Sequence, residues 1–181
     1  IAKVLNMIDS FIEQIQHAAA HQHPLKICGS GSKDFYGGVA QGTTLDVSRH
    51  TGIIDYAPSE LVITARAGTP LKEIEQTLNA QNQMLAFEPP HFGENATLGG
   101  CIASGLSGPR RPYSGAVRDF VLGVNMLDGR GQKLKFGGQV MKNVAGYDVS
   151  RLMAGSLGTL GVLLGVSLKV LPLPAASLSL R

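Results

Sequence analysis

The sequence predicts an α+β fold, and three observations carry that prediction. An amphipathic helix opens the chain, a strand–loop–strand pair follows it, and the later strands lack the regular helix alternation of a doubly wound sheet. Glycine is the compositional outlier, with 23 in 181 residues against the roughly 7% of an average protein. The glycines gather at 29–42, 99–115, 123–146 and 155–165, so they mark turns or places where backbone must approach something closely.

The elements follow in order. Val4, Leu5, Ile8, Phe11, Ile12 and Ile15 share one helical face opposite Asp9, Glu13 and Gln14, which predicts a helix ending near 21–24. Residues 25–28 form a short strand and 44–48 a second one. Residues 52–56 and 61–67 read as a hairpin-like pair, the latter alternating Leu61, Ile63 and Ala65 with Val62, Thr64 and Arg66. Thr69-Pro70 starts a helix, Thr69 as its N-cap, and Leu71, Ile74 and Leu78 face inward as it runs to about residue 82. A strand over 84–87 follows. Strands over 120–127 and 132–136 flank the hairpin turn Asp128-Gly129-Arg130-Gly131. A short helix over 148–153 precedes a last strand over 162–171, in which Val166, Leu168 and Val170 alternate with Ser167 and Lys169.

Composition excludes several classes. The net charge is +3, and Arg110-Arg111 is the single basic pair, with no basic run interleaved with aromatics as a nucleic-acid surface requires. Cys28 and Cys101 make no C-x-x-C or zinc spacing, and two thiols fit a reducing compartment. Apolar runs reach about ten residues, short of the ~20 that span a bilayer, and no signal-peptide pattern opens the chain. Starting at Ile1 and stopping just after a Pro-x-Pro segment, it reads as a fragment of a longer protein. His17 and His21 read as a solvated helix end. No Ser/His/Asp set or carboxylate pair stands out, so no catalytic residue is nominated.

Four segments carry chemistry. In Cys28-Gly29-Ser30-Gly31-Ser32-Lys33, directly after a strand, successive N–H groups can line a concavity for an anion such as pyrophosphate, with the seryl hydroxyls as added donors. It is neither a P-loop nor a Rossmann fingerprint, since Asp34 stands where G-x-G-x-x-G needs its third glycine. A plain surface loop fits it as well. In the run from Pro89-Pro90 through Thr97-Leu98-Gly99-Gly100 to Ala103-Ser104-Gly105, a glycine pair opening a helix can set bare amides against a phosphate or a flat ring. A tight turn packed in the core is the other reading. Gly108-Pro109-Arg110-Arg111-Pro112-Tyr113-Ser114-Gly115 either holds arginines for a diphosphate or is a solvated loop. Lys142-Asn143-Val144-Ala145-Gly146-Tyr147-Asp148, followed by Gly155-Ser156-Leu157-Gly158-Thr159-Leu160-Gly161-Val162, lets backbone meet a planar base, or is an ordinary helix-to-strand turn.

In their order, these segments resemble the FAD-binding domain of the vanillyl-alcohol oxidase/p-cresol methylhydroxylase family. The matching residues are the 29–33 loop, Leu45-Asp46-Val47-Ser48, the run from Gly52 to Gly68, Thr97-Leu98-Gly99-Gly100, Tyr147-Asp148 and Gly158-Thr159-Leu160-Gly161-Val162, which span almost the whole chain. Phe87-Glu88-Pro89-Pro90-His91-Phe92-Gly93-Glu94, Gly108-Pro109-Arg110-Arg111-Pro112 and Val140-Met141-Lys142-Asn143-Val144-Ala145-Gly146-Tyr147-Asp148 resemble the FAD-binding subunits of bacterial glycolate oxidases. The resemblance implies two subdomains, about 1–57 and 58–181, holding FAD in an extended pose, with the C-terminal cap absent.

It also implies site residues. Gly29, Ser30, Gly31, Ser32 and Lys33 would hold the pyrophosphate together with Thr97, Leu98, Gly99, Gly100, Ala103, Ser104 and Gly105, with 98–100 near the flavin. Pro90, Gly108, Arg110 and Gly115 would support the cofactor, and Gly158, Gly161 and Val162 would meet the adenine. Lys33 stands in the loop where covalently flavinylated relatives carry His, so the expected FAD is non-covalent. The implied function is oxidation of a 2-hydroxy acid such as glycolate, or relay of its electrons. The partners would be a second flavoprotein and an iron–sulfur protein, the location cytoplasmic with any contact to the inner membrane made through those partners, and no metal would be bound. A non-catalytic, FAD-holding assembly module stays open beside it.

Overall fold

The computed structural model describes residues 2–138 and 147–178, for 2–6 the helical backbone alone. The expected segment 142–146 lies outside the described residues. Helix α1 (Ala2–Ala20) leads into β1 (Leu25–Cys28), which pairs in parallel with β2 (Thr43–Asp46). Strands β3 (Ile53–Ala57), β4 (Val62–Arg66), β6 (Val121–Leu127), β7 (Lys133–Gly137) and β8 (Val162–Lys169) form an antiparallel sheet in the order β3-β4-β8-β6-β7. Between them lie α2 (Leu71–Asn79), β5 (Gln83–Met84), α3 (Leu98–Ser104), α4 (Arg111–Ser114) and α5 (Val149–Leu152); β9 (Leu171–Pro172) pairs with β5. The α+β reading is therefore correct. Because β3 pairs with β4, the chain has entered the five-stranded sheet by residue 53. No helix among the described residues is long and apolar enough to cross a membrane.

Two apolar clusters hold these parts together. Ile63 and Ala65 of β4, Leu71, Ile74 and Leu78 of α2, Leu98 and Ile102 of α3, and Leu163, Val166 and Leu168 of β8 fill the larger one. The smaller joins Phe11 and Ile15 of α1 to Leu45, Val47, Leu127, Val162 and Leu164. Neighbouring residues of β8 thus enter opposite clusters, which is why its first five residues are all buried and alternation begins only at Ser167. Val62 to Ala65 of β4 are buried too, which erases the alternation expected there: Ile63 and Ala65 enter the larger cluster, and Thr64 Oγ1 meets Ser167 Oγ of β8 at 2.8 Å.

Three local expectations fail, the first because a distant partner wins. Thr69 does not cap α2; fully buried, its hydroxyl accepts from the Gly52 N–H at 2.9 Å, and the α2 cap position is Pro70. Helix α2 stops at Asn79 and the following turn ends in left-handed Asn82, φ 52°. The strand expected over 84–87 reduces to Gln83–Met84, and Leu85, Ala86 and Phe87 are buried as a turn. Thr69 also accepts from Leu98 N–H at 2.9 Å, and Ala96 accepts from Leu71 N–H at 2.8 Å, so α2 and α3 start side by side.

His50 sits at the smaller cluster, 4% exposed, its ring edge-on to Phe11. Burial, then the nearby Arg66 cation, holds its pKa below the usual histidine value. The unfolded chain binds a proton that folded His50 refuses, so this group subtracts stability as pH falls below about 6.5. Urea unfolding from pH 7.5 to 5.5 should show a decline that His50→Gln flattens; identical slopes in both proteins would assign the decline elsewhere.

Candidate functional site

A cleft of about 180 Å3 lies between the loop after β1, the start of α3 and the turn leading into β8. The approach of the first two is extremely close. A Cβ built on Gly29 would stand 2.6 Å from Thr97 Oγ1, so only glycine lets the loop leave β1 along the start of α3. Thr97 is the α3 N-cap, and its hydroxyl accepts from the Gly100 N–H at 3.2 Å. Gly99 donates its N–H to Ala67 O at 2.7 Å. The amides of Gly99 and Gly100 are therefore engaged, not bare as the sequence suggested. The two glycines also serve different ends. A Cβ on Gly99 would meet Ala67 Cβ at 2.9 Å, whereas one on Gly100 would meet only Thr97 Oγ1, at 3.2 Å. Gly99 is small for packing; Gly100 leaves the cleft wall bare.

The unengaged donors lie in the loop instead. Among the described residues, the N–H groups of Ser30, Ser32 and Lys33 meet no protein acceptor. Lys33 Nζ lies 3.4 Å from His91 O and 3.5 Å from Ser32 Oγ, above the Phe92 ring at 5.9 Å. Burial pushes its pKa down, with Cys101 acting weakly the other way. Asp34, which would repel an anion, is paired with Lys26 at 2.9 Å. Opposite, the turn before β8 is tied to the end of α3 by Leu157 N–H to Ala103 O at 2.9 Å and Gly155 N–H to Ile102 O at 3.0 Å. It turns through Gly158, φ +78°, and Ser156 Oγ is buried there without a partner.

The structure thus brings Gly29, Ser30, Gly31, Ser32, Lys33, Thr97, Gly99, Gly100, Ala103, Ser104, Gly158 and Gly161 to one cleft. It does not bring Pro90, Leu98, Gly105, Gly108, Arg110, Gly115 or Val162 to its lining. Leu98 and Val162 are core residues, 1% and 2% exposed. Gly105 and Gly115 end α3 and α4, Gly108 packs on the Glu88 backbone, and Pro90 belongs to the adjoining loop. Arg110 lies outside the lining, its Nε 3.6 Å from Glu88 and its Nη1 against Met84 Sδ. Sequence reasoning missed Ile27, Tyr36, Ala67, Ser156, Leu157 and Leu163 on the walls. Only Ser156 and Leu157 carried a signal, the small-residue run around them.

A cleft walled by glycine turns, short of side chains and furnished with unengaged amides and one half-buried cation, has the chemistry of the nucleotide-holding class of sites. The chain matches the FAD binding domain family over residues 6–137 and belongs to it. It is 60% identical over 172 residues to the glycolate oxidase subunit GlcE of Escherichia coli (strain K12), covering 95% of this chain and 49% of that protein. It is 33% identical over 143 residues to a D-lactate dehydrogenase of Anaerostipes hadrus, covering 78% of this chain and 30% of that one. A solved structure of alkyldihydroxyacetonephosphate synthase superposes with a TM-score of 0.71 over 93% of this chain and 31% of its own, at 22% identity, a likeness of fold alone. The chain spans about half the length of its glycolate oxidase relative, and less of the other two. The expected family and the expected cofactor, FAD, are both correct. The residues fit that cofactor: open N–H donors, an orphaned seryl hydroxyl and a bare Gly100 all face one cleft.

Gly100→Val should lower FAD affinity about tenfold or more, roughly 1.4 kcal/mol, with little loss of stability. Gly99→Ala should destabilise the fold by about 1–3 kcal/mol through overpacking. Flavin fluorescence titration and urea unfolding separate the two, and reversed outcomes would exchange their roles. Cys101 is wholly buried, which pushes its thiol up to about 12, so iodoacetamide at pH 8 should label only the part-buried Cys28 until the chain is unfolded. Peptide mapping reads that order.

Proposed function

We propose that this chain is the FAD-holding part of an oxidoreductase that takes a hydride from the alcohol carbon of a 2-hydroxy acid, glycolate above all, or passes its electrons on. The observation that carries the reading is the set of unengaged Ser30, Ser32 and Lys33 amides in a cleft bared by Gly29 and Gly100. The 60% identity to a glycolate oxidase subunit supports the substrate class.

FAD, when bound, supplies the hydride acceptor. The protein's part is to bind, orient and exclude water. The amides at 30, 32 and 33 and the Ser30 and Ser32 hydroxyls donate to the pyrophosphate, each such bond to a charged oxygen being worth about 1.5–3 kcal/mol. Lys33 balances the dianion from a half-buried position, where its charge is weakly screened. Ser156 Oγ and the main chain at Gly158 and Gly161 take the adenine end. Ile27, Val47, Ala67 and Leu163 make the apolar wall. Among the described residues the cleft lining holds no histidine or glutamate, and its one aspartate is paired with Lys26; we place the substrate's acid–base groups on the partner subunits. We assign those partners as a second flavoprotein and an iron–sulfur protein on the cytoplasmic side, any contact with the inner membrane being theirs.

Purified protein should be yellow, and acid precipitation should leave its flavin in the supernatant, since no covalent link is expected. Anaerobic glycolate should bleach the flavin in the presence of the partner subunits. A chain that stays colourless with excess FAD overturns the proposal. A flavin that glycolate never bleaches in the complete complex, while glycolate oxidation proceeds, makes it an assembly anchor.

A further inference from the structure

Lys33 enters the cleft from one loop and is steadied by another. The second loop, residues 89–94, has no backbone hydrogen bond of its own among the described residues. Glu88 and Phe92 at its two ends have left-handed backbones, φ 48° and 52°, conformations that non-glycine residues keep only where surrounding contacts hold them. Three polar or aromatic contacts do so. His91 Nε2 lies 3.1 Å from Glu75 of α2, His91 O accepts from Lys33 Nζ at 3.4 Å, and Phe92 meets Phe35 edge-on at 4.9 Å between ring centroids. Helix α2 is a firm base, because Leu71, Ile74 and Leu78 on its inner face are completely buried. A continuous chain of contacts therefore runs from core to helix, to Glu75, to His91, to the one half-buried ammonium in the cleft.

We infer that Glu75 and His91, neither of which lines the cleft, are positioning residues: their hydrogen bond fixes the 89–94 loop so that Lys33 is held where a dianionic cofactor linker lies. The inference rests on the FAD reading above. Without the Glu75 acceptor, the loop loses its tie to α2, the His91 carbonyl and Phe92 ring drift, and the Lys33 ammonium is no longer constrained. The cofactor then leaves faster although no group that touches it has been changed.

The test uses FAD release from the full chain after dilution, read as recovered flavin fluorescence. Glu75→Ala should speed release about three- to tenfold, the range open to one partly exposed hydrogen bond acting on a charged ligand. Glu75→Gln, which keeps an acceptor oxygen, should lie near the parent. In a Lys33→Met background, Glu75→Ala should add nothing, because the two changes act on one route. A second readout needs no cofactor. The chain contains no tryptophan, so Phe92→Trp reports on the loop alone, and acrylamide should quench it more strongly once Glu75→Ala is added. Equal acceleration with and without Lys33 is what a merely structural Glu75 would give, and it overturns the inference, as does unchanged quenching. A parent chain that takes up no FAD is a separate failure, that of the cofactor reading, and is seen before any variant is made.

Discussion

The contact between Gly29 and Thr97 is the constraint from which the cleft follows. Strand β1 ends pointing at the start of α3, and a Cβ on Gly29 would stand only 2.6 Å from the Thr97 hydroxyl. With no side chain there, the loop can fold over the helix start and keep its own amides turned to the open side. Thr97 works in two directions, as the wall the loop leans on and as the cap of the Gly100 amide. It is placed in turn by the buried Thr69 and by the shared start of α2 and α3. The binding surface is thus an outcome of how three segments far apart in sequence are stacked.

Charge is used sparingly around that contact. Of the cations that reach the cleft, Lys26 is matched by Asp34, and Lys33 alone is half-buried without a carboxylate partner. A site with one such cation and several neutral donors suits a ligand whose negative charge is confined to one short linker. The rest of the wall is apolar or bare backbone, as a flat heteroaromatic ring needs.

The chain shares its fold with alkyldihydroxyacetonephosphate synthase at 22% identity and its family with FAD-binding domains. A fold does not by itself fix a reaction, which depends on the groups built onto it. Among the described residues the cleft lining carries one carboxylate, Asp34, and it is paired with Lys26.

Much was legible from local order. Periodicity located α1, the Asp128 turn placed β6 against β7, and ordered glycine motifs named the family, because helix faces, hairpin turns and close-approach glycines depend on residues near in sequence. Partner choice across the fold was not legible. Thr69 looks like a helix cap until Gly52 is seen to claim it, Gly99 and Gly100 look alike until one is found against Ala67, and nothing local shows that Arg110 has Glu88 beside it. The sequence alone therefore determined the fold class and the cofactor type. Tertiary structure decided which glycines, amides and cations share the cleft, because those roles belong to neighbours that only folding brings within a few ångströms.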